Sequence, residues 1–107
     1  MYYFLRDAAN GHSTAEQEWR DIDARFPRAM ERVFTHIQRV DAAQSTTAGP
    51  LRQAQHVPGA PDLYWWDTAG VGVFYHYDGV DLAIVLVGAV ENPPFWGNMR
   101  NDAQQRV

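Results

Sequence analysis

Residues 63–90 read LYWWDTAGVGVFYHYDGVDLAIVLVGAV, the one long run of the chain that is rich in aromatic and β-branched residues. Turn residues interrupt it at Thr68-Ala69-Gly70 and again at Asp78-Gly79. This pattern predicts a three-stranded antiparallel meander with strands at 63–67, 71–77 and 81–90. Because a type I′ turn needs positive φ at both central residues, Asp-Gly predicts such a turn between the last two strands.

Side-chain alternation assigns the faces of this meander. One face of the second strand carries Val71, Val73, Tyr75 and Tyr77, and the other carries Gly72, Phe74 and His76. The third strand is apolar on both faces, with Leu82, Ile84 and Leu86 opposite Ala83, Val85 and Val87. A strand of this kind is expected to be covered on both sides, so the rest of the chain must supply helices.

Two helices are predicted before the meander. Ser13 and Glu16 have capping-box spacing, and an apolar stripe follows at Ala15, Trp19, Ile22 and Phe26. Pro27 ends that helix and can begin the next one. The second helix, at 28–42, has apolar residues at Met30, Val33, Phe34, Ile37 and Val40. These two stripes predict a helical hairpin that covers one face of the sheet.

The remaining segments complete an α+β fold in a single domain, residues 1–107. An N-terminal strand is predicted within 2–6, and a C-terminal helix at about 94–105, where Phe95, Trp96, Met99 and Ala103 recur at helical spacing. Segment 43–61 is polar and rich in Gly and Pro, which predicts a long loop with a helical or strand-like turn near 51–55.

Composition excludes several classes of function. The chain has no cysteine, which excludes disulfides, thiolate metal sites and a cysteine nucleophile. Its net charge is −4, and all nine basic residues are arginine, a balance that argues against a general nucleic-acid surface. No apolar run approaches 18 residues and no signal peptide is recognised. A cytoplasmic protein without membrane association is therefore expected.

The second helix carries a basic stripe at Arg28, Arg32, His36 and Arg39, at steps of four, four and three. One interpretation is a solvated polar face. The other is a surface that contacts phosphate or an acidic partner. The sequence does not separate these two.

No cofactor or metal site is predicted, since the four histidines are isolated and there is no glycine-rich phosphate loop. Chemistry can be sought only around the meander, where aromatic side chains could meet arginines of the flanking segments. The candidates are Tyr75, His76, Tyr77, Trp65, Trp66, Arg52, Arg100 and Arg106. Histidine can transfer protons, arginine can stabilise transition-state charge, and aromatic rings can stack an unpaired base.

The order of strand, helical hairpin, meander and C-terminal helix resembles the RelE/ParE toxin superfamily of bacterial type II toxin–antitoxin systems. The likeness lies in the stretches LYWW, VFYHYDG and IVLVG at 63–66, 73–79 and 84–88. Gly72 stands where the family's Arg-x-x-Tyr pattern begins, and Ala89-Val90 where a basic pair often follows the last strand.

The resemblance implies a toxin that is neutralised by a cognate antitoxin and that cleaves mRNA on the ribosome or poisons DNA gyrase. For a nuclease, it implies Arg100 for transition-state charge and His76 or Tyr75 for proton transfer. The partner contacts would be Arg28, Arg32, His36, Arg39, Arg52 and Trp65. ParE-like members poison gyrase and need no catalytic set.

Two other functions are compatible with the sequence. The chain could be a non-catalytic protein-binding module, such as a degenerate toxin-like domain or an immunity-type inhibitor, whose acidic second half meets a basic partner. It could also be a small-molecule-binding domain with a pocket lined by Trp65, Trp66 and Tyr75.

Overall fold

The computed structural model describes residues 1–7, 11–46, 49–89 and 95–107. The chain has the α+β architecture that its sequence predicts. Its elements are β1 (Tyr2–Phe4), α1 (Thr14–Arg25), α2 (Pro27–Ala43), α3 (Gly49–Arg52), β2 (Gln55–His56), β3 (Leu63–Thr68), β4 (Val71–Tyr77), β5 (Leu82–Ala89) and α4 (Phe95–Arg106). The predicted strand end at 90–94 and the side chains of Phe95 and Trp96 lie outside the described part of the chain.

The strands form one five-stranded sheet in the order β1-β5-β4-β3-β2. The predicted meander β3-β4-β5 is antiparallel throughout, and β1 pairs with β5 in parallel. Strand β5, which is apolar on both faces, therefore lies between β1 and β4. Within segment 43–61, the turn predicted near 51–55 takes the form of the short helix α3 followed by the edge strand β2.

The type I′ turn of the meander lies at its first turn, whereas the sequence predicts it at the second. Thr68 pairs directly with Val71, and the two residues between them, Ala69 and Gly70, both have positive φ, as a type I′ turn requires. The two-residue turn predicted at Asp78-Gly79 is wrong, because residues 78–81 form a four-residue loop. There the Asp78 carboxylate accepts hydrogen bonds from the backbone N–H groups of Val80 and Asp81, each at 2.9 Å.

A β-bulge in β5 changes the predicted faces of that strand. Phe74 pairs with Leu86 while Tyr75 pairs with Ile84, which leaves Val85 as an extra residue. Beyond the bulge the alternation is inverted, so that Val87 faces the same side as Ile84. Leu86, predicted on that side, packs with Val85 on the opposite one.

Two layers of helix cover the sheet. The hairpin of α1 and α2 begins at the predicted cap, where Ser13 accepts from the Glu16 N–H at 3.1 Å, and Pro27 lies in the first turn of α2, which ends at Ala43, one residue beyond the predicted end. We call the side that it covers the hairpin face, and the opposite side, where Met99 and Ala103 of α4 pack, the α4 face. Phe34, predicted as core, is 38% exposed.

The two layers are joined by an ion pair across the edge of β5. The Arg106 guanidinium donates to both carboxylate oxygens of Glu18, at 2.8 and 3.1 Å, and to the carbonyl oxygen of Val85 at 2.8 Å. The Val87 N–H in turn donates to Glu18 at 3.3 Å. Strand β1 ends opposite Ile84, so these side chains satisfy the backbone of β5 where its strand neighbour stops.

None of the helices in the described residues is both long enough and apolar enough to cross a lipid bilayer.

Candidate functional site

A cavity of about 800 Å³ lies between α2 and the end of the sheet formed by β3. We call it the arginine groove. It is lined by Arg28, Glu31, Arg32, Thr35, His36, Arg39, Gly49, Gln53, Trp66 and Thr68. Its volume is within the range of about 300–1,000 Å³ that is typical of small-molecule pockets.

The wall of the groove is the basic stripe of α2. Residues that follow one another at steps of three or four lie on one face of a helix, which is why Arg28, Arg32 and Arg39 line the same cavity. All three side chains are exposed, and Glu31 is the one acidic residue beside them. The excess of positive charge favours an anionic ligand or partner surface.

His36 does not belong to the exposed stripe in which the sequence places it. It is 4% exposed, and its ring is stacked on Trp66 with centroids 4.3 Å apart and planes 4° from parallel. His36 is therefore buried rather than exposed, although it still lines the groove beside the arginines. The two stacked rings form the floor of the groove.

A buried polar contact holds the floor in place. His36 Nε2 and the Tyr75 hydroxyl lie 2.8 Å apart in a hydrogen bond, in which the donor depends on the imidazole tautomer. Burial, with a smaller contribution from the charge of Arg39, lowers the pKa of His36 to about 4. Burial also raises the pKa of Tyr75, and the neighbouring Tyr64 and Tyr77 add to this effect. Both groups are therefore neutral at pH 7.

The three residues predicted for catalysis do not share a surface. Tyr75 is fully buried on the hairpin face. His76 pairs with Leu63, a residue of the core on the α4 face, so its side chain points away from Tyr75. Arg100 is exposed and lines a separate cavity of about 340 Å³ with Trp65 and Phe74. A joint role of Tyr75 with His76 or Arg100 does not fit this arrangement.

The aromatic residue beside the arginines is Trp66, not Trp65, which was predicted as a contact. Trp65 pairs with Phe74 and packs toward the α4 face, with the two ring centroids 6.2 Å apart. Trp66 pairs with Val73 on the hairpin face. Side-chain alternation along β3, combined with its pairing to β4, was enough to place Trp65 and Trp66 on opposite faces of the sheet. Arg52, the remaining predicted contact, is exposed at the end of α3 and does not line the groove.

The arrangement fits binding better than proton transfer. Exposed guanidinium groups can hold phosphate or carboxylate groups, and the planar floor offers an aromatic surface. The one imidazole in the groove is neutral and engaged by Tyr75. No group of three or more His, Asp or Glu side chains in the described segments is placed to hold a metal ion.

No protein-family model matches this chain, and neither a curated protein nor a solved structure is significantly similar to it.

Proposed function

We propose that this protein is a RelE/ParE-like toxin of a type II toxin–antitoxin system, which arrests growth by binding its target, with DNA gyrase favoured over mRNA cleavage. The observation that carries the proposal is the spatial order of the elements. An N-terminal strand lies parallel to the last strand of a meander, a helical hairpin covers one face, and a C-terminal helix packs on the other.

The arginine groove supports action through binding. Its three exposed arginines offer guanidinium groups that can contact acidic side chains or phosphates of a target. The separation of Tyr75 from Arg100 argues against a nuclease centre in which these two residues act together. Such a binding role does not require basic residues at positions 72 and 89, where this chain has Gly72 and Ala89.

Controlled expression in a bacterial host tests the proposal. The protein is induced with and without the reading frame adjacent to its own. Growth arrest that the neighbour relieves is the expected result. Plasmid topology and mapping of mRNA ends then separate gyrase poisoning from RNA cleavage, and new mRNA ends without a change of supercoiling would reverse the preference for gyrase.

Paired variants link the activity to the groove. The double variant Arg28→Ser/Arg32→Ser removes two groove charges, and Arg20→Ser/Arg25→Ser removes the same charge from exposed positions of α1. We expect only the groove variant to relieve the arrest, while both retain native thermal unfolding. Equal relief by the α1 variant would mean that net charge matters and the groove does not.

A non-catalytic protein-binding module is the second candidate, favoured by the acidic second half of the chain. Asp67, Asp78, Asp81 and Asp102 are all exposed. A basic partner could be steered to such a surface. Harmless expression at every level of induction would contradict the toxin and leave this candidate.

A further inference from the structure

A second cavity on the hairpin face differs from the arginine groove in shape and charge. We call it the aromatic cavity; its volume is about 350 Å³, and it lies between α1, α2 and β1. Its lining residues are Tyr2, Phe4, Trp19, Asp23, Pro27, Met30, Glu31, Phe34 and Ile84. None of them is basic, although α2 carries three arginines on its neighbouring face.

Regular spacing brings these side chains together. Tyr2 and Phe4 are two residues apart on one face of β1, and Trp19 and Asp23 are four apart on α1. Phe34 follows Glu31 by three residues on α2. Each of the three elements therefore contributes an aromatic ring, and each helix adds a carboxylate.

The four rings meet edge to face. Centroid distances are 6.0 Å for Tyr2 and Phe34, 6.4 Å for Phe34 and Trp19, and 5.6 Å for Trp19 and Phe4. The interplanar angles of these pairs are 71°, 87° and 74°. Neighbouring rings thus stand nearly perpendicular, so aromatic rings in several orientations line the cavity. The negative face of such a ring attracts a cation.

The two carboxylates give the cavity its charge. Asp23 and Glu31 are exposed at its rim, and neither forms an ion pair with any residue of the described segments. Phe34 remains 38% exposed, so the cavity is open to solvent. The two rim carboxylates, of which Glu31 also lines the arginine groove, and the aromatic walls are complementary to a cation with an apolar surface.

We propose that the aromatic cavity binds a small quaternary ammonium cation. Such a cation has no N–H group, so it needs no hydrogen-bond acceptor among Phe4, Trp19 and Phe34. Its methyl groups pack against the rings, while its charge interacts with their faces and with the carboxylates of Asp23 and Glu31. A primary ammonium would instead lose hydration without gaining acceptors between the rings.

Choline is the probe for the test, with its neutral tert-butyl isostere as the matched control. Both are titrated into ¹⁵N-labelled protein, and the indole N–H signal of Trp19, assigned with Trp19→Phe, is followed by NMR. We expect choline to shift this signal and to bind about tenfold more tightly than the isostere, because only choline gains cation–π energy. Absence of any saturable shift, or equal binding of the two compounds, would overturn the proposal.

Two variants separate the contribution of the aromatic rings from that of the carboxylates. Phe34→Leu keeps an apolar side chain and should weaken choline about two- to fivefold, the factor of one exposed cation–π contact, without affecting the isostere. Asp23→Asn should weaken choline at low salt and lose its effect at high salt, whereas Asp21→Asn, on the same helix outside the cavity, should do neither. Unchanged choline affinity in Phe34→Leu would contradict the site. Binding is expected whether or not the protein arrests growth, because none of the aromatic rings of this cavity lines the arginine groove, with which the cavity shares Glu31 alone.

Discussion

The two faces of the sheet bury different kinds of side chain. The hairpin face is covered by two helices, and its core includes a buried polar pair, His36 and Tyr75, among apolar residues. The α4 face is covered by one helix over a smaller, wholly apolar core. A polar group can be buried only where it finds a partner, and here His36 of α2 and Tyr75 of β4 provide one for each other. The arginine groove and the aromatic cavity both lie on this better-supported face.

The largest difference between the faces should appear when a core side chain is truncated. Ile37→Ala, at a fully buried position of α2, should lower the free energy of unfolding by about 3–4 kcal/mol, because the hairpin and sheet cannot close around the space. Met99→Ala, at a 9% exposed position of α4, should cost less, since a single helix can move inward. Urea denaturation measures both. An equal or larger loss for Met99→Ala would show that the α4 face contributes as much as the hairpin face.

The pH dependence of stability should report the buried histidine of the hairpin face. The pKa of His36 is about 4 in the folded protein and 6.5 in its unperturbed state, so the unfolded chain binds the proton more tightly. Stability is therefore complete above pH 6.5 and falls as the pH is lowered toward 4. Linkage gives a loss of about 2 kcal/mol between pH 7 and pH 5.

The variant His36→Phe isolates this effect, because it keeps a ring against Trp66 but cannot be protonated. We expect its unfolding free energy to vary much less between pH 7 and pH 5. The other histidines are present in both proteins, so their contribution cancels in the comparison. Urea denaturation at several pH values provides the comparison. Parallel pH profiles for the variant and the parent would mean that His36 is not the group that titrates.

A smaller loss is expected when the partner of that histidine is removed. Tyr75→Phe deletes the hydroxyl that lies 2.8 Å from His36 Nε2 and leaves a buried polar nitrogen without its bond. This should cost about 1–2 kcal/mol. Tyr3→Phe, at a 49% exposed tyrosine of β1, should change stability by less than about 0.5 kcal/mol. Similar thermal unfolding of the two variants would show that the buried contact adds no stability.

The sequence predicts the elements of this fold better than their details. Periodicity and capping locate α1, α2 and the meander because apolar stripes and proline act locally. The bulge at Val85 has no local signal, since β5 is apolar on both faces and either register buries apolar side chains. The type I′ turn at Ala69-Gly70 was likewise missed, because Ala69 has a positive φ that the sequence gives no reason to expect.

The groove shows the same division between local and tertiary information. Helical spacing places Arg28, Arg32 and Arg39 on one face, and the structure brings them to one cavity. The same spacing cannot show that His36 is buried, because its burial depends on where β3 places Trp66. The pairing of β3 with β4 was enough to show that Trp66, and not Trp65, lies on the groove side. Gly49 and Gln53 also line the groove, but periodicity gives no indication of where segment 43–61 places them.

The smallest effect concerns the ion pair that joins the two faces. Arg106→Met keeps the aliphatic part of the side chain but removes the donor to Glu18 and to the Val85 carbonyl. We expect a loss of about 1–1.5 kcal/mol, since this half-buried pair also satisfies the backbone of β5. Arg20→Met, which removes the exposed partner of Glu16, should cost less than about 0.5 kcal/mol. Hydrogen exchange should show the Val87 amide, which donates to Glu18, less protected only in Arg106→Met. If protection is unchanged there, α1 holds the edge of β5 without help from α4, and the two covering layers are independent of each other.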